Sequence, residues 1–354
     1  MTHFEKIAAQ LNDRGLDAML ITSEPGEFYA VGFHGEGAAL ITPDKTWYYT
    51  DSRYIEAAQQ LITGAEVADW APGGGFRKLI AGLVKEHGIV KLGFEERYMS
   101  VASHTEWTKA VEAEFVPASE LLTQLRQVKD ADELAAMREA QRITDEALLE
   151  ILNFIRPGLT ESEVAARLTY IMARKGAERN SFDPIVACGA NGSKPHAVPG
   201  PAVIEKGQFV TMDFGCVVGG YCSDMTRTVA VGKPTEEMEL VYNTVLKAQL
   251  AGIAVAKAGV TGKEVHEAGA KVIADAGYGD YFGHGFGHSL GIEIHEDPGF
   301  HTRNDKPIPA GALLSAEPGI YLPGKFGVRI EDVIMLTEGG CIDITRSPKQ
   351  LIIL

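Results

Sequence analysis

Four acidic residues in the C-terminal half of the chain are placed where they could bind metal ions together. Residues 210–232, VTMDFGCVVGGYCSDMTRTVAVG, contain two β-like runs separated by a Val-Gly-Gly turn region. A two-residue loop at Val218-Gly219 places Asp213 directly opposite Asp224 on the paired strand. Because valine is a poor occupant of a turn position with positive φ, a glycine bulge could shift this register by one residue.

A second predicted hairpin repeats this arrangement. The runs LLSAEPGIYL and GVRIEDVIML are joined by the turn-rich residues 323–325. A three-residue loop at that point pairs Glu317 with Glu331. Arg329 stands two residues before Glu331 and therefore shares its face of the strand.

Opposed acids on paired strands repel each other and cost stability. If both hairpins lie on the inner face of one sheet, four carboxylates converge, and two divalent cations would offset their repulsion. A solvated surface position is the ordinary alternative for any single Asp or Glu. The apolar alternation around each acid and the repetition of the arrangement favour a metal site.

Three histidines lie within twelve residues in the segment YFGHGFGHSLGIEIHEDPG. Imidazole is a common ligand of zinc, manganese and cobalt, and the flanking glycines let the backbone come close to a site. We interpret His288 as the metal ligand, and His284 and His295 as proton carriers and substrate binders. A structural role is the alternative for His284 taken alone.

A fourth histidine, His196, lies in the glycine- and proline-rich loop CGANGSKPHAVPG. Such loops often carry functional residues, so His196 is either an exposed loop residue or part of the active site. Cys216 and Cys222 flank the first acid pair, and we expect them to pack as small hydrophobic residues rather than bind metal.

An internal repeat predicts the elements that position these side chains. FIRPGLTESEVAARLTYIMARKGAE resembles VAKAGVTGKEVHEAGAKVIADAGYG, and five identities recur 101 residues apart: Gly158, Thr160, Glu163, Val164 and Gly176 match Gly259, Thr261, Glu264, Val265 and Gly277. In each copy we expect one helix to end at a glycine and a Thr-x-x-Glu capping box to start the next. Chance similarity of two amphipathic helices is the alternative, but five identities in register favour duplication. The sequence predicts a pseudo-twofold α+β domain that contains the acids.

The remainder of the chain predicts a separate N-terminal α/β domain. The runs DAMLIT, AALIT and TWYYT indicate strands, with a turn at Pro43-Asp44. A charged, Ala- and Leu-rich stretch from about Leu121 to Ile155 predicts one long connecting helix. At 354 residues, two domains are expected, and we place them at residues 1–125 and 126–354.

The composition excludes several classes of partner. Asp and Glu number 48 against 33 Lys and Arg, and the net charge of -15 repels nucleic acids and anionic membranes. The N-terminus lacks the pattern of a signal peptide, and no apolar run reaches the ~18 to 20 residues needed to span a bilayer. Four cysteines without a CxxC motif fit a reducing compartment, so we expect a cytoplasmic protein.

Motifs along the whole chain resemble one known family. MDFG, SDMTRT, GHGFGHSLGIEIHE, SAEPGIY and VRIEDV, in this order and spacing, are similar to the proline-specific metallopeptidases of the pita-bread fold, the Xaa-Pro dipeptidases (prolidases) and aminopeptidase P. YAVGF and DSRYIEAA resemble the creatinase/prolidase N-terminal domain. The resemblance implies a creatinase-like α/β domain followed by an α+β pita-bread catalytic domain.

The resemblance also implies roles for individual residues. Five residues match the family's metal ligands: Asp213, Asp224, His288, Glu317 and Glu331. Of these, Asp224 and Glu331 match the ligands that bridge both ions. Four others match the family's substrate-binding and proton-transfer histidines and the arginine beside the last ligand: His196, His284, His295 and Arg329. Manganese is the family's usual metal, with cobalt or zinc as alternatives.

These implications form a functional hypothesis. Two cations that share a water lower its pKa from about 16 towards 7, so a metal-bridging hydroxide could attack the carbonyl of an Xaa-Pro bond. Glu317 would take and pass on the proton, and His295 or His284 would stabilise the oxyanion. Substrates would be Xaa-Pro dipeptides or peptides with proline second, and the family implies a homodimer.

Two alternatives remain. Some relatives keep the fold without the ligands, so a non-catalytic peptide- or protein-binding module is one of them. The five retained ligands weigh against it. Methionine aminopeptidases share the ligand set but lack the N-terminal domain of about 120 residues, and they are the more distant alternative.

Overall fold

The computed structural model describes all residues, 1–354, and divides into two compact units, Met1–Arg126 and Gln127–Leu354. The two units are described in turn. None of the helices combines the length and the apolar character that a membrane-spanning segment requires.

The N-terminal unit is built around a six-stranded mixed sheet with the strand order β4-β3-β2-β1-β5-β6. Its strands are β1 (Ala18–Ile21), β2 (Ala38–Ile41), β3 (Thr46–Thr50), β4 (Glu66–Asp69), β5 (Lys91–Phe94) and β6 (Glu114–Pro117). Its helices are α1 (His3–Leu11), α2 (Glu24–Val31), α3 (Ile55–Leu61), α4 (Phe76–Glu86), α5 (Val101–Ala110) and α6 (Ser119–Gln127). The three strands predicted from DAMLIT, AALIT and TWYYT are β1, β2 and β3.

The predicted long helix from Leu121 to Ile155 is wrong, because the chain forms two helices there. The helix α6 ends at Gln127, and α7 (Ala131–Ile151) begins after Asp130. Asp130 has an extended backbone, and its side chain accepts hydrogen bonds from Asp132 N and Glu133 N in a capping box. A strong N-cap starts a new helix even within a stretch of good helix formers.

The second unit contains α7, three further helices and thirteen strands. The helices are α8 (Glu161–Arg174), α9 (Glu236–Val255) and α10 (Gly262–Asp275). The first strands are β7 (Arg179–Asn180), β8 (Ile185–Cys188), β9 (Gln208–Phe214), β10 (Cys216–Val218), β11 (Tyr221–Cys222) and β12 (Met225–Val231). The others are β13 (Gly287–Ser289), β14 (Glu296–Phe300), β15 (Leu313–Ala316), β16 (Gly319–Leu322), β17 (Phe326–Arg329), β18 (Asp332–Thr337) and β19 (Gly340–Asp343).

The predicted duplication appears in the starts of α8 and α10. Both helices have 14 residues, and the capping boxes of Thr160 and Thr261 are both formed. Gly158 and Gly259 have φ values of 96° and 85°, a conformation that glycine adopts without strain. The helices before them end earlier than expected, at Ile151 and Val255, so these glycines belong to the connecting turns.

The register predicted for the first hairpin is wrong, because the turn lies one residue later in the chain than predicted. Asp213 pairs with Thr226 rather than with Asp224. The turn residues are Gly219 and Gly220, with φ values of 57° and 76°, because a tight turn with positive φ at both positions suits glycine and not valine. The change moves the pairing by two residues along the partner strand, so Asp224 keeps the face that was predicted for it.

The register predicted for the second hairpin is confirmed. Gly319 pairs with Arg329 in the β16–β17 ladder, and Ala316 pairs with Asp332 in the β15–β18 ladder, in one continuous register. The same register, continued through the break between the two ladders, brings Glu317 opposite Glu331. At this break Glu331 N donates to Thr226 O, which joins the second hairpin to the first.

Candidate metal centre

One cavity of about 500 Å³ in the second unit contains every site residue that the sequence predicted. The predicted residues in its lining are His196, Asp213, Asp224, His284, His288, His295, Glu317, Arg329 and Glu331. The first half of the duplicated unit supplies the two aspartates, and the second half supplies the two glutamates and three of the histidines. The arrangement therefore needs both hairpins.

The innermost group consists of carboxylates around His288. Its Nε2 atom lies 3.5 Å from Asp224 Oδ2 and 3.4 Å from Glu317 Oε1. One potential ligand atom from each of Asp224, His288 and Glu331 lies within 4.8 Å of the other two. Thr226 Oγ1 donates to Glu331 Oε2 at 2.7 Å and so orients that carboxylate.

Two carboxylate oxygens of this group have no hydrogen-bond partner although they are buried, Asp213 Oδ1 and Asp224 Oδ1. Buried polar atoms nearly always have partners, so both oxygens require one. Four carboxylates and one neutral imidazole form an oxygen and nitrogen donor set suited to manganese, cobalt or zinc. The residues present therefore fit divalent metal ions.

Electrostatics lead to the same conclusion. Burial, and then the charge of Glu331, raises the pKa of Asp224 well above its usual range. Burial and the charge of Glu317 do the same to the pKa of Glu331. Burial also raises the pKa of Glu317 to about 7. A cluster of this kind retains protons at neutral pH unless cations replace them.

His288 is held in the state that a metal ligand requires. Its Nδ1 lies 3.1 Å from Ser289 O, to which it can only donate, so Nε2 carries the lone pair that faces the carboxylates. Burial lowers the pKa of His288, which favours the neutral ring. Its backbone N–H donates to Ser315 Oγ at 3.0 Å, and that hydroxyl donates to Glu317 Oε1 at 3.3 Å.

Arg329 connects one carboxylate to the aromatic side of the cavity. Its Nη2 lies 2.6 Å from Asp213 Oδ2, and its Nη1 donates to the hydroxyl of Tyr321 at 2.9 Å. His284 Nδ1 donates to Gly285 O at 2.8 Å, so its Nε2 accepts from the same Tyr321 hydroxyl at 2.9 Å. Burial and the charge of Arg329 lower the pKa of His284 to about 4, so the ring is neutral.

The other two histidines lie in the cavity wall. The ring of His295 is in edge contact with that of His288, with centroids 4.4 Å apart, and burial lowers its pKa. His196 lies on the loop after β8 and is exposed, yet it lines the same cavity. His196 is thus an exposed loop residue that also lines the cavity, and its role in the active site stays a prediction.

Sequence reasoning missed three side chains that orient the acids and histidines: Thr226, Ser315 and Tyr321. A signal for Tyr321 was present, because it stands four residues after Glu317 on an extended segment and so shares its face. Cys216 and Cys222 are buried outside the cavity lining, as predicted. Burial raises the pKa of Cys222 to about 12, so its sulfur is a thiol.

Profiles of known families match nearly the whole chain. The creatinase/prolidase N-terminal domain matches residues 4–128, and metallopeptidase family M24 matches residues 135–338. The chain belongs to metallopeptidase family M24. This M24 peptidase has the fold that the sequence predicts, a creatinase-like domain followed by a pita-bread catalytic domain, and membership implies divalent metal ions.

Individual relatives of this M24 peptidase match over nearly their full lengths. The uncharacterized peptidase YqhT of Bacillus subtilis is 44% identical over 352 residues, which are 99% of each sequence. Among solved structures, an Xaa-Pro dipeptidase from Bacillus anthracis has a TM-score of 0.96 at 44% identity, with 99% of each chain covered. An X-Pro aminopeptidase from Thermotoga maritima has a TM-score of 0.91 at 37% identity, with 96% of this chain and 98% of that chain covered.

Proposed function

We propose that this protein is a dinuclear metal-dependent exopeptidase that hydrolyses the Xaa-Pro bond at the N-terminus of dipeptides or peptides. The observation that carries the proposal is the convergence of four acids and one neutral imidazole in one cavity, with two buried carboxylate oxygens that have no partner. The alternative of a non-catalytic binding module offers no reason to keep so many carboxylates together. Relatives named for Xaa-Pro cleavage support the choice of bond.

The metal-binding roles follow the ligand set. Five residues would hold two divalent ions, most readily manganese, with cobalt or zinc as alternatives: Asp213, Asp224, His288, Glu317 and Glu331. Asp224 and Glu331, the most deeply buried of the acids, would contact both ions. Bound ions supply an acidified water and a polarised carbonyl. Glu317 accepts the proton of the attacking water and passes it to the leaving prolyl nitrogen.

The remaining residues bind the substrate and stabilise charge. His295, in edge contact with His288, is the better placed histidine to stabilise the oxyanion. His284 and the Tyr321 hydroxyl form a hydrogen-bonded pair that can move a proton, and Arg329 holds that hydroxyl in place by donating to it. His196 binds the substrate at the cavity wall, where Pro184, Ile185, Val198 and Ile294 add apolar surface for a prolyl ring.

Three further expectations belong to the same proposal. The functional domains are residues 1–125, the creatinase-like domain, and residues 126–354, the catalytic domain. The active form is a homodimer in the cytoplasm. Sedimentation velocity measured with and without manganese tests the oligomeric state.

The experiment that tests the proposed function compares three substrates, with and without manganese. These are an Xaa-Pro dipeptide, a longer peptide that starts with the same two residues, and a matched dipeptide with alanine in place of proline. Manganese-dependent cleavage of a proline substrate and not of the alanine control is expected. The ratio of the two proline rates assigns substrate length. No cleavage of any substrate would contradict the proposal and favour the binding module.

A further inference from the structure

The loop that carries His196 is fastened at both ends to one buried carboxylate, that of Glu161. Glu161 is the first residue of α8, and its side chain is fully buried. Its Oε1 accepts from Cys188 N at 2.8 Å, and its Oε2 accepts from Gly200 N at 3.0 Å. The side-chain amide of Asn191 donates to both oxygens, at 3.0 and 2.9 Å.

These donors are all neutral, so Glu161 is not a member of an ion pair through them. Burying a carboxylate without a cation is costly unless hydrogen bonds satisfy its oxygens. Four hydrogen bonds and the position at the N-terminus of a helix meet this requirement. They also fix the distance between the end of β8 and Gly200, and so the shape of the loop between them.

The internal duplication shows that Glu161 is not needed to start a helix of this type. The equivalent residue, the first of α10, is Gly262, where an added Cβ would lie 2.1 Å from Gly299 O. Both helices have the same Thr-Glu capping box, so the box is the shared helix start. The buried carboxylate occurs only in the half that carries the His196 loop, although segments of both halves line the cavity.

The loop between the two tethers forms one wall of the cavity. Five successive residues of the loop line the cavity: Pro195, His196, Ala197, Val198 and Pro199. Arg329 Nη1 donates to Pro195 O at 3.3 Å, which ties the middle of the loop to the site. The ring of His196 is exposed, so its position follows from the loop rather than from packing around the ring.

We propose that Glu161 is a positioning residue for substrate binding, which holds the loop of residues 189–200 so that His196 faces the cavity. The proposal rests on the proposed function for the part that concerns substrate. Its structural part, the fastening of the loop, stands independently. Asn191 is the second member of this tether.

Hydrogen exchange tests the fastening, with Glu161→Gln as the main variant and Glu163→Gln as the matched control. Glu163 is on the same first turn and bonds only within the exposed capping box. We expect faster exchange at the amides of Cys188 and Gly200 and in the loop between them for Glu161→Gln, and no change for the control. Asn191→Ala, a milder variant, gives the same pattern if Glu161→Gln folds poorly. Unchanged loop exchange in both tether variants would overturn the proposal.

A double-mutant cycle with His196→Ala tests whether Glu161 affects substrate binding through His196. We expect Glu161→Gln to lower kcat/KM by about 10- to 100-fold, as for other small misplacements of substrate-positioning groups. In the His196→Ala background the same change should cost less than about 2-fold, because the positioned group is already absent. The number of bound metal ions should stay that of the unchanged protein.

The outcomes separate the two proposals. Additive losses in the cycle, or loss of metal from Glu161→Gln, would overturn the positioning role, since either shows an effect that does not pass through His196. An unchanged protein that cleaves no proline substrate would instead contradict the proposed function. In that case the exchange measurement still decides whether Glu161 fastens the loop.

Discussion

The side chains of the candidate site owe their properties to burial among like charges. Asp224 and Glu331 are almost fully buried, and each lies close to other carboxylates. Such groups are destabilising unless protons or cations neutralise them. Metal binding and proton binding should therefore compete directly at this site.

The first prediction concerns the two acids expected to contact both ions. Asp224→Asn or Glu331→Gln should abolish detectable activity and the tight binding of the second ion, because an amide supplies one weaker oxygen in place of a bridging carboxylate. Metal analysis of the dialysed variants measures the number of ions. Asp183→Asn is the control, since Asp183 lines the same cavity outside the ligand set. Two ions retained by an inactive Asp224→Asn variant would contradict the bridging role.

The second prediction concerns pH. Because the pKa of Glu317 is raised to about 7, this carboxyl of the metal-free site is mostly protonated at pH 6, and burial raises the pKa values of Asp224 and Glu331 in the same direction. Metal must displace these protons, so apparent metal affinity should rise from pH 6 to 8, and protons should be released on binding. Calorimetry at pH 6 in two buffers of different ionisation enthalpy measures the release. Equal heats in both buffers would show that the carboxylates were already ionised.

At the scale of elements, a buried arginine fastens the strands that carry the acids. Arg227 on β12 donates to Glu331 O at 2.5 Å and to Asp332 Oδ1 at 2.7 Å. It also donates to the backbone oxygens of Ser347 and Pro348, both at 2.8 Å. This one side chain therefore links the first hairpin, the second hairpin and the C-terminal segment.

The third prediction is that Arg227→Met lowers the free energy of unfolding by about 3 kcal/mol, because four backbone oxygens lose their charged donor, although Asp332 keeps Lys349 as a cationic partner. The side chains of Arg227 and Asp332 are 1% and 0% exposed. Lys271→Met is the control, since the Lys271–Asp275 pair is 73% and 64% exposed and should contribute less than about 0.5 kcal/mol. Urea unfolding curves of both variants provide the measurement. Equal stabilities would show that Arg227 has no role of this kind.

The success of the sequence predictions varied from element to element for physical reasons. The second hairpin could be predicted because Pro323, Gly324 and Lys325 leave one plausible loop, and its register is confirmed. The first hairpin offered Val218, Gly219 and Gly220 as turn residues, and only the requirement for two positive φ values decides between the choices. The predicted register was wrong by two residues, which is the side-chain period of a strand. Each side chain therefore stayed on its predicted face, and the predicted site residues still lie together.

Other features depend on contacts that sequence does not reveal. The division of the long helix required knowing that Asp130 caps a helix rather than lying within one. From the sequence alone, Glu161 has the position of an ordinary exposed acid in the first turn of a helix. It is buried because the His196 loop folds over it. Long-range partners of this kind are chosen by the tertiary fold.

At the scale of the whole molecule, two related halves of the second unit bring their hairpins to one cavity. The first half provides Asp213 and Asp224, and the second provides His288, Glu317 and Glu331. Neither half holds all five proposed ligands, so the proposed centre can form only when the duplicated unit is folded. Bound metal should therefore raise the free energy of unfolding of this unit, because the unfolded chain binds metal poorly.

The most direct test of this account is a titration of activity against bound manganese after chelation and exhaustive dialysis. The protein should lose its hydrolysis of an Xaa-Pro substrate in chelator. Activity should return as manganese is added and reach its maximum at two ions per chain. Full turnover in excess chelator by protein that contains no metal would contradict the metal centre on which the proposed function depends.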